Sequence, residues 1–124
     1  MKITSLYKLL VIFVLLSLSN GYANAQQKAV VDSLSRILTV NNPNDIKYIN
    51  ALNALAYLYA KTDSAKAINY ALKAKNASQI KKYPLGLADA YKAIGVVNSY
   101  KNRTEVAIQN FNISNEYYTQ LKNN

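Results

Sequence analysis

Residues 88–121, ADAYKAIGVVNSYKNRTEVAIQNFNISNEYYTQL, decide how the rest of the chain is read. Apolar residues recur at helical spacing on both sides of a short polar turn at Lys101, Asn102 and Arg103, which predicts two amphipathic helices. Tyr91, Ile94, Gly95 and Asn98 share one face of the first, and Ala107, Phe111 and Ser114 share one face of the second. Gly95 and Ala107 remove side chains where two helices must approach closely, while Tyr91 and Phe111 are large enough to fill the wedge between them.

The same arrangement recurs upstream. A helix over 45–61 carries Ile49, Leu52, Leu55, Ala56 and Tyr59 on its inner face. Thr62, Asp63 and Ser64 form a turn with good N-cap residues. Ala67, Ala71 and Ala74 then lie at i, i+4 and i+7 of a helix over 64–82, a face that permits close helix contact. Tyr83, Pro84, Leu85 and Gly86 interrupt the chain before the opening stretch. One more helix, over 28–40, is carried by Val30, Leu34, Ile37 and Leu38. Pro43 in Asn41-Asn42-Pro43-Asn44 stops it, and Asn44 or Asp45 can cap the next. Five helices with short breaks predict an all-α fold of antiparallel hairpins.

The N-terminus reads as an address. Lys2 and Lys8 precede an apolar run over 9–18, and Ala23-Asn24-Ala25 offers a small-x-small cleavage site. A secretory signal peptide over 1–25 is expected, cut to leave Gln26 first, with a retained membrane anchor as the rival. The run is shorter than the roughly 20 residues that span a bilayer. Contact with a membrane is expected only through this segment before cleavage, and the product is expected in the periplasm or secreted.

Composition excludes several chemistries. The 124 residues contain no Cys and no His, so disulfides, thiol and imidazole catalysis and the usual zinc ligands are absent. Six acidic residues leave little for a metal site, and no cofactor or metal is expected. The best carboxylate pair, Asp89 with Glu105, has nothing to bring it together, and no Ser-x-x-Lys motif or nucleophile elbow is present, so no enzyme is expected. The net charge of +9 falls to +7 without Lys2 and Lys8. The lysines are scattered, which suits a solvated surface better than a nucleic-acid site. Asn76-Ala-Ser78, Asn102-Arg-Thr104 and Asn112-Ile-Ser114 match the glycosylation sequon, as chance matches in an Asn-rich chain do.

Taken together, Tyr91-x2-Ile94-Gly95-x2-Asn98 and Ala107-x3-Phe111 resemble the tetratricopeptide repeat (TPR), W-x2-L-G-x2-Y … A-x3-F. Leu55-Ala56-x2-Tyr59 and Ala67-x3-Ala71 resemble a second copy, with Ala for Gly and Ala71 where an aromatic is usual. The resemblance covers two repeats, about 48–82 and 88–121 within 44–124, after an N-terminal helix and turn over 26–43. It implies about five helices stacked as a short right-handed solenoid. Leu55 and Ile94 are 39 residues apart against 34 in the standard repeat, which predicts a third helix longer than usual. Asp32-Ser33-Leu34 to Leu38, then Leu52-Asn53-Ala54-Leu55-Ala56 to Tyr59, are similar to the exported TPR sensor regions of Bacteroidetes-type histidine kinases and regulators. There a transmembrane helix and an output domain follow; here the sequence stops at Asn124.

The resemblance implies a non-enzymatic scaffold that binds a protein or peptide in a concave groove. The groove candidates are Asn50, Asn53, Tyr57 and Lys61 on one helix, and Asp89, Lys92, Val96 and Ser99 on the other. The alternative is the periplasmic input segment of a signal-transducing histidine kinase or transcriptional regulator. A Lys and Asn clamp on a peptide carboxylate, known from other TPR sites, does not carry over, because the matching pairs are Asn53 with Tyr57 and Lys92 with Val96. Eleven Tyr against two Phe and no Trp suit ring burial at edges, with a stacking surface as the alternative. Phe111, Ile113, Tyr117, Tyr118 and Leu121 exceed what one neighbouring helix covers, so either marginal stability alone is expected or a partner on that end, through self-association or a missing continuation.

Overall fold

The computed structural model describes residues 2–123. It is all-α, with five helices: α1 (Lys2–Val40), α2 (Ile46–Tyr59), α3 (Ser64–Lys81), α4 (Pro84–Tyr100) and α5 (Thr104–Lys122). The chain divides into two units, Met1–Ser33 and Leu34–Asn124. Helix α1 does not break at Ala25, and the expected helix over 28–40 is its C-terminal part. Between Tyr7 and Val40 it holds an 18-residue stretch with a mean hydropathy of 1.4, long and apolar enough to cross a membrane, and a signal peptide has the same character.

In the second unit, α2 packs on α3, α3 on α4, α4 on α5, and α2 also touches α4. Three small clusters form the core, and each takes one residue from α2, α3 and α4. They are Leu52 with Ala74 and Ala90, Ala56 with Ala71 and Ala93, and Ala60 with Ala67 and Val97. The numbering rises by three or four along α2 and α4 while it falls along α3. So α3 runs antiparallel to the other two, and α2 and α4 run in the same direction. Eight of the nine positions are exposed by 1% or less, and Ala60 by 2%. Half-buried tyrosines close the edges. Tyr59 and Tyr70 stack with centroids 5.9 Å apart, and Tyr91 stacks on Tyr117 at 6.0 Å.

The turns follow local rules. Asp63 caps α3 by accepting the Lys66 N–H at 2.9 Å. Asp45 occupies the N-cap of α2, although its side chain makes no cap bond. The α3–α4 and α4–α5 connections share one closure, with Tyr83 N–H bonded to the Ser78 carbonyl and Arg103 N–H to the Asn98 carbonyl, both at 2.9 Å. Lys82 and Asn102 supply the left-handed residue that this six-to-one bond requires, at φ 54° and 55°.

The break expected over 83–86 is shorter than the sequence implied. Pro84 sits in the first turn of α4, where a missing N–H costs nothing, and the helix runs through Gly86. The third helix, Ser64–Lys81, ends within a residue of the expected bound at 82, and α4 begins four residues before the expected start at 88. Lys61 lies in the turn after α2, not on it.

Two glycines sit where backbones meet. A Cβ on Gly86 would come within 2.9 Å of Ser78 Oγ, Tyr83 Cδ1 and Ile49 Cγ2. A Cβ on Gly95 would strike the ring of Phe111, 2.6 Å from Cε1. That ring is 36% exposed and free to swing outward, whereas Ser78 and Ile49 are fully buried. In urea denaturation of the full chain, Gly86→Ala is expected to lose about 1–2 kcal/mol, as overpacking outweighs the gain in helix propensity. Gly95→Ala is expected to lose less. Equal effects, or a stabilising Gly86→Ala, would contradict this account of the contacts.

Candidate functional site

The first two turns of α4 are held from both sides. On the α2 side, Asn53 Nδ2 donates to the Gly86 carbonyl at 3.1 Å and the Tyr57 hydroxyl donates to the Asp89 carbonyl at 3.3 Å. On the α5 side, Ser114 Oγ donates to the Ala88 carbonyl at 2.7 Å, and the Tyr118 hydroxyl donates to Asp89 Oδ1. A carbonyl oxygen has two lone pairs, so these links add to the helical bonds without replacing them.

Between α2 and α4 lies a cavity of about 260 Å³ lined by Asn50, Asn53, Ala54, Tyr57, Tyr83, Leu85 and Asp89. It brings together four of the eight groove residues expected from the sequence: Asn50, Asn53, Tyr57 and Asp89. Lys61, Lys92 and Ser99 are exposed and do not line it. Val96 is half-buried against the Ala60, Ala67 and Val97 cluster, so it is as much a packing residue as a surface one. Asn53 departs most from expectation. It is 3% exposed, not a solvated amide on an open face, because its Nδ2 crosses to the Gly86 carbonyl.

Three lining residues were missed. Tyr83 and Leu85 join the site because α4 starts at Pro84, which puts Leu85 one turn before Asp89, and Ala54 lies on α2 one turn after Asn50. Pro at the first position of a helix was the available signal. Tyr83 closes one end by donating its hydroxyl to Asn50 Oδ1 at 3.3 Å.

The expected packing residues are buried in part. Leu55, Ala56, Ala67, Ala71, Ala74, Gly95 and Ala107 are buried, Tyr59, Tyr91 and Ile94 are half-buried, and Phe111 lies at the exposed edge. Tyr117 and Tyr118 both turn inward, the first stacked on Tyr91 and the second bonded to Asp89. Among the described residues, no three His, Cys, Asp or Glu side chains converge as metal ligands would. Comparison with protein-family models, with curated proteins and with solved structures finds no match to this chain.

Tyr57, Asp89 and Tyr118 form one electrostatic unit. Burial raises the Tyr57 phenol, and the Tyr118 and Asp89 charges raise it further. Tyr118 is pushed up to about 12, first by burial, then by its hydrogen bond to Asp89 and that carboxylate's charge. In an unfolded chain both phenols ionise near 10. A raised folded pKa leaves stability intact below about pH 10 and lowers it as pH rises from about 10 through about 12, because the unfolded chain releases its protons first. Absorbance titration at 295 nm is expected to show two phenols ionising late, one removed by Tyr57→Phe and the other by Tyr118→Phe. A single step near 10 that both variants leave unchanged would contradict it.

Proposed function

We propose that this chain is a non-enzymatic, exported helical-repeat protein of TPR type that binds an extended segment of a protein or peptide partner along the α2–α4 seam. The observation that carries the reading is the cavity itself. It is lined by residues of α2, of α4 and of the turn between α3 and α4, the first helices of the two hairpins and the connection between them. Those helices run in the same direction, so their exposed residues form a track with a repeat at each hairpin. The small residues at Ala56 and Gly95, at equivalent places in the two hairpins, support the repeat interpretation. The apolar part of α1 is compatible with a signal peptide and supports export. Self-association through α5 belongs to the same proposal, supported by the exposure of Val106, Ile108, Phe111 and Leu121 along that helix.

Site-specific photocrosslinking tests the seam. A benzophenone amino acid is placed at Asn50, exposed at the seam, or at Gln79, exposed on α3. Irradiation in envelope extract is expected to give discrete adducts from position 50 and few from position 79. Equal adducts from both positions would contradict a binding face between α2 and α4.

A further inference from the structure

We propose that the α2–α4 cavity receives a cationic group, the ammonium of a lysine or the guanidinium of an arginine on the bound polypeptide. This rests on the seam being the peptide-binding face and specifies what that face selects.

The charge pattern is the first ground. The chain carries 15 Lys and Arg against six acids, yet the single charged residue lining this cavity is Asp89. No lysine or arginine is among the described residues that line it. At about 260 Å³ the space is below the roughly 300–1,000 Å³ of small-molecule pockets, which suits one side chain better than a free metabolite.

Hydrogen-bond bookkeeping is the second ground, and it is independent of net charge. The donors around the cavity are largely committed inside the protein. The Tyr57 hydroxyl serves the Asp89 carbonyl, the Tyr83 hydroxyl serves Asn50 Oδ1, the Tyr118 hydroxyl serves Asp89 Oδ1, and Asn53 Nδ2 serves the Gly86 carbonyl. Acceptors remain. Asn53 Oδ1 is buried with no hydrogen-bond partner and is out of a ligand's direct reach, so it acts on the cavity only as a partial negative charge that no internal donor offsets. An ionised carboxylate has about four acceptor sites, and Tyr118 occupies one of those on Asp89. A ligand that only donates, as ammonium and guanidinium do, matches this lining. An anion finds just the Asn50 amide and the second Asn53 N–H, next to a carboxylate.

The rings of Tyr57 and Tyr83 add walls that attract a cation. One internal cation already samples this attraction: Lys92 Nζ lies 5.9 Å from the Tyr57 ring centroid, near the outer limit for such contact. Lys92 does not line the cavity, so it competes with an incoming cation without filling the site. Its removal separates the two signs of ligand, since losing a lysine favours a cation and disfavours a carboxylate.

The test uses the full chain, isotope-labelled in non-ionic detergent micelles, titrated with three blocked tripeptides and followed by NMR. They are Ac-Ala-Lys-Ala-NH2, its Nε-acetyl-lysine counterpart and Ac-Ala-Glu-Ala-NH2. Signals of Tyr57, Tyr83 and Asp89 are expected to shift saturably with the lysine peptide, and the other two are expected to bind about tenfold more weakly. Asp89→Asn, which keeps an oxygen for Tyr118, is expected to weaken the lysine peptide about fivefold, and Lys92→Ala to tighten it about twofold. Equal or stronger binding of the acetyl-lysine or glutamate peptide at these residues would overturn the cation preference and leave the peptide seam standing. Absence of any saturable shift would also overturn it, while the crosslinking comparison decides the seam separately.

Discussion

The close approach of three helices through small side chains is the constraint on which the folded unit depends. At Ala56, Ala71 and Ala93 the backbones of α2, α3 and α4 meet with a methyl group each between them, and one turn away on either side two alanines meet a single larger side chain, Leu52 or Val97. Few large side chains are fully buried: Ile49, Leu52, Leu55 and Val97. Cohesion therefore comes from many short-range contacts between backbones and methyl groups, each weak and all dependent on distance. Such a core has little room to absorb added volume.

That closeness also explains the polar links. Only because α2 and α4 lie near each other can Asn53 and Tyr57 reach main-chain carbonyls on the neighbouring helix. The same contact draws Asn53 below the surface and leaves its Oδ1 unpaired, at a cost of about 1–3 kcal/mol typical of a buried orphan acceptor. The cavity lies beside these links, with Tyr83 closing one end of it. Packing and site are thus two results of one spacing.

Much of the fold was legible in the sequence because its signals are local. Helical periodicity, the Asp63 cap, the stop at Pro43 and the small residues at Ala56, Ala71, Gly95 and Ala107 each act within a turn or two. The start of α4 was read late because Pro and Gly usually mark a break, whereas Pro84 is tolerated at the first helical position and Gly86 is required by contact with Ser78 and Ile49. The site was half legible. Periodicity puts Asn50, Asn53, Tyr57 and Asp89 on facing helices, but it cannot show which side chain is drawn inward by a carbonyl on another helix. Asn53 and Val96 were therefore read as surface. Tyr83 and Leu85 escaped with the misplaced start of α4. The Asp89–Tyr118 bond joins residues 29 positions apart and has no local signature.

The most direct test of the spacing is a comparison of two leucines on α3. Ala71 lies in the middle of the three-helix contact and is fully buried, while Ala65 is on the same helix and exposed. In urea denaturation the account predicts that Ala71→Leu loses about 3 kcal/mol or fails to fold cooperatively, and that Ala65→Leu stays within about 0.5 kcal/mol of the parent. Equal stability of the two variants would contradict the claim that methyl-sized side chains set the distance between these helices.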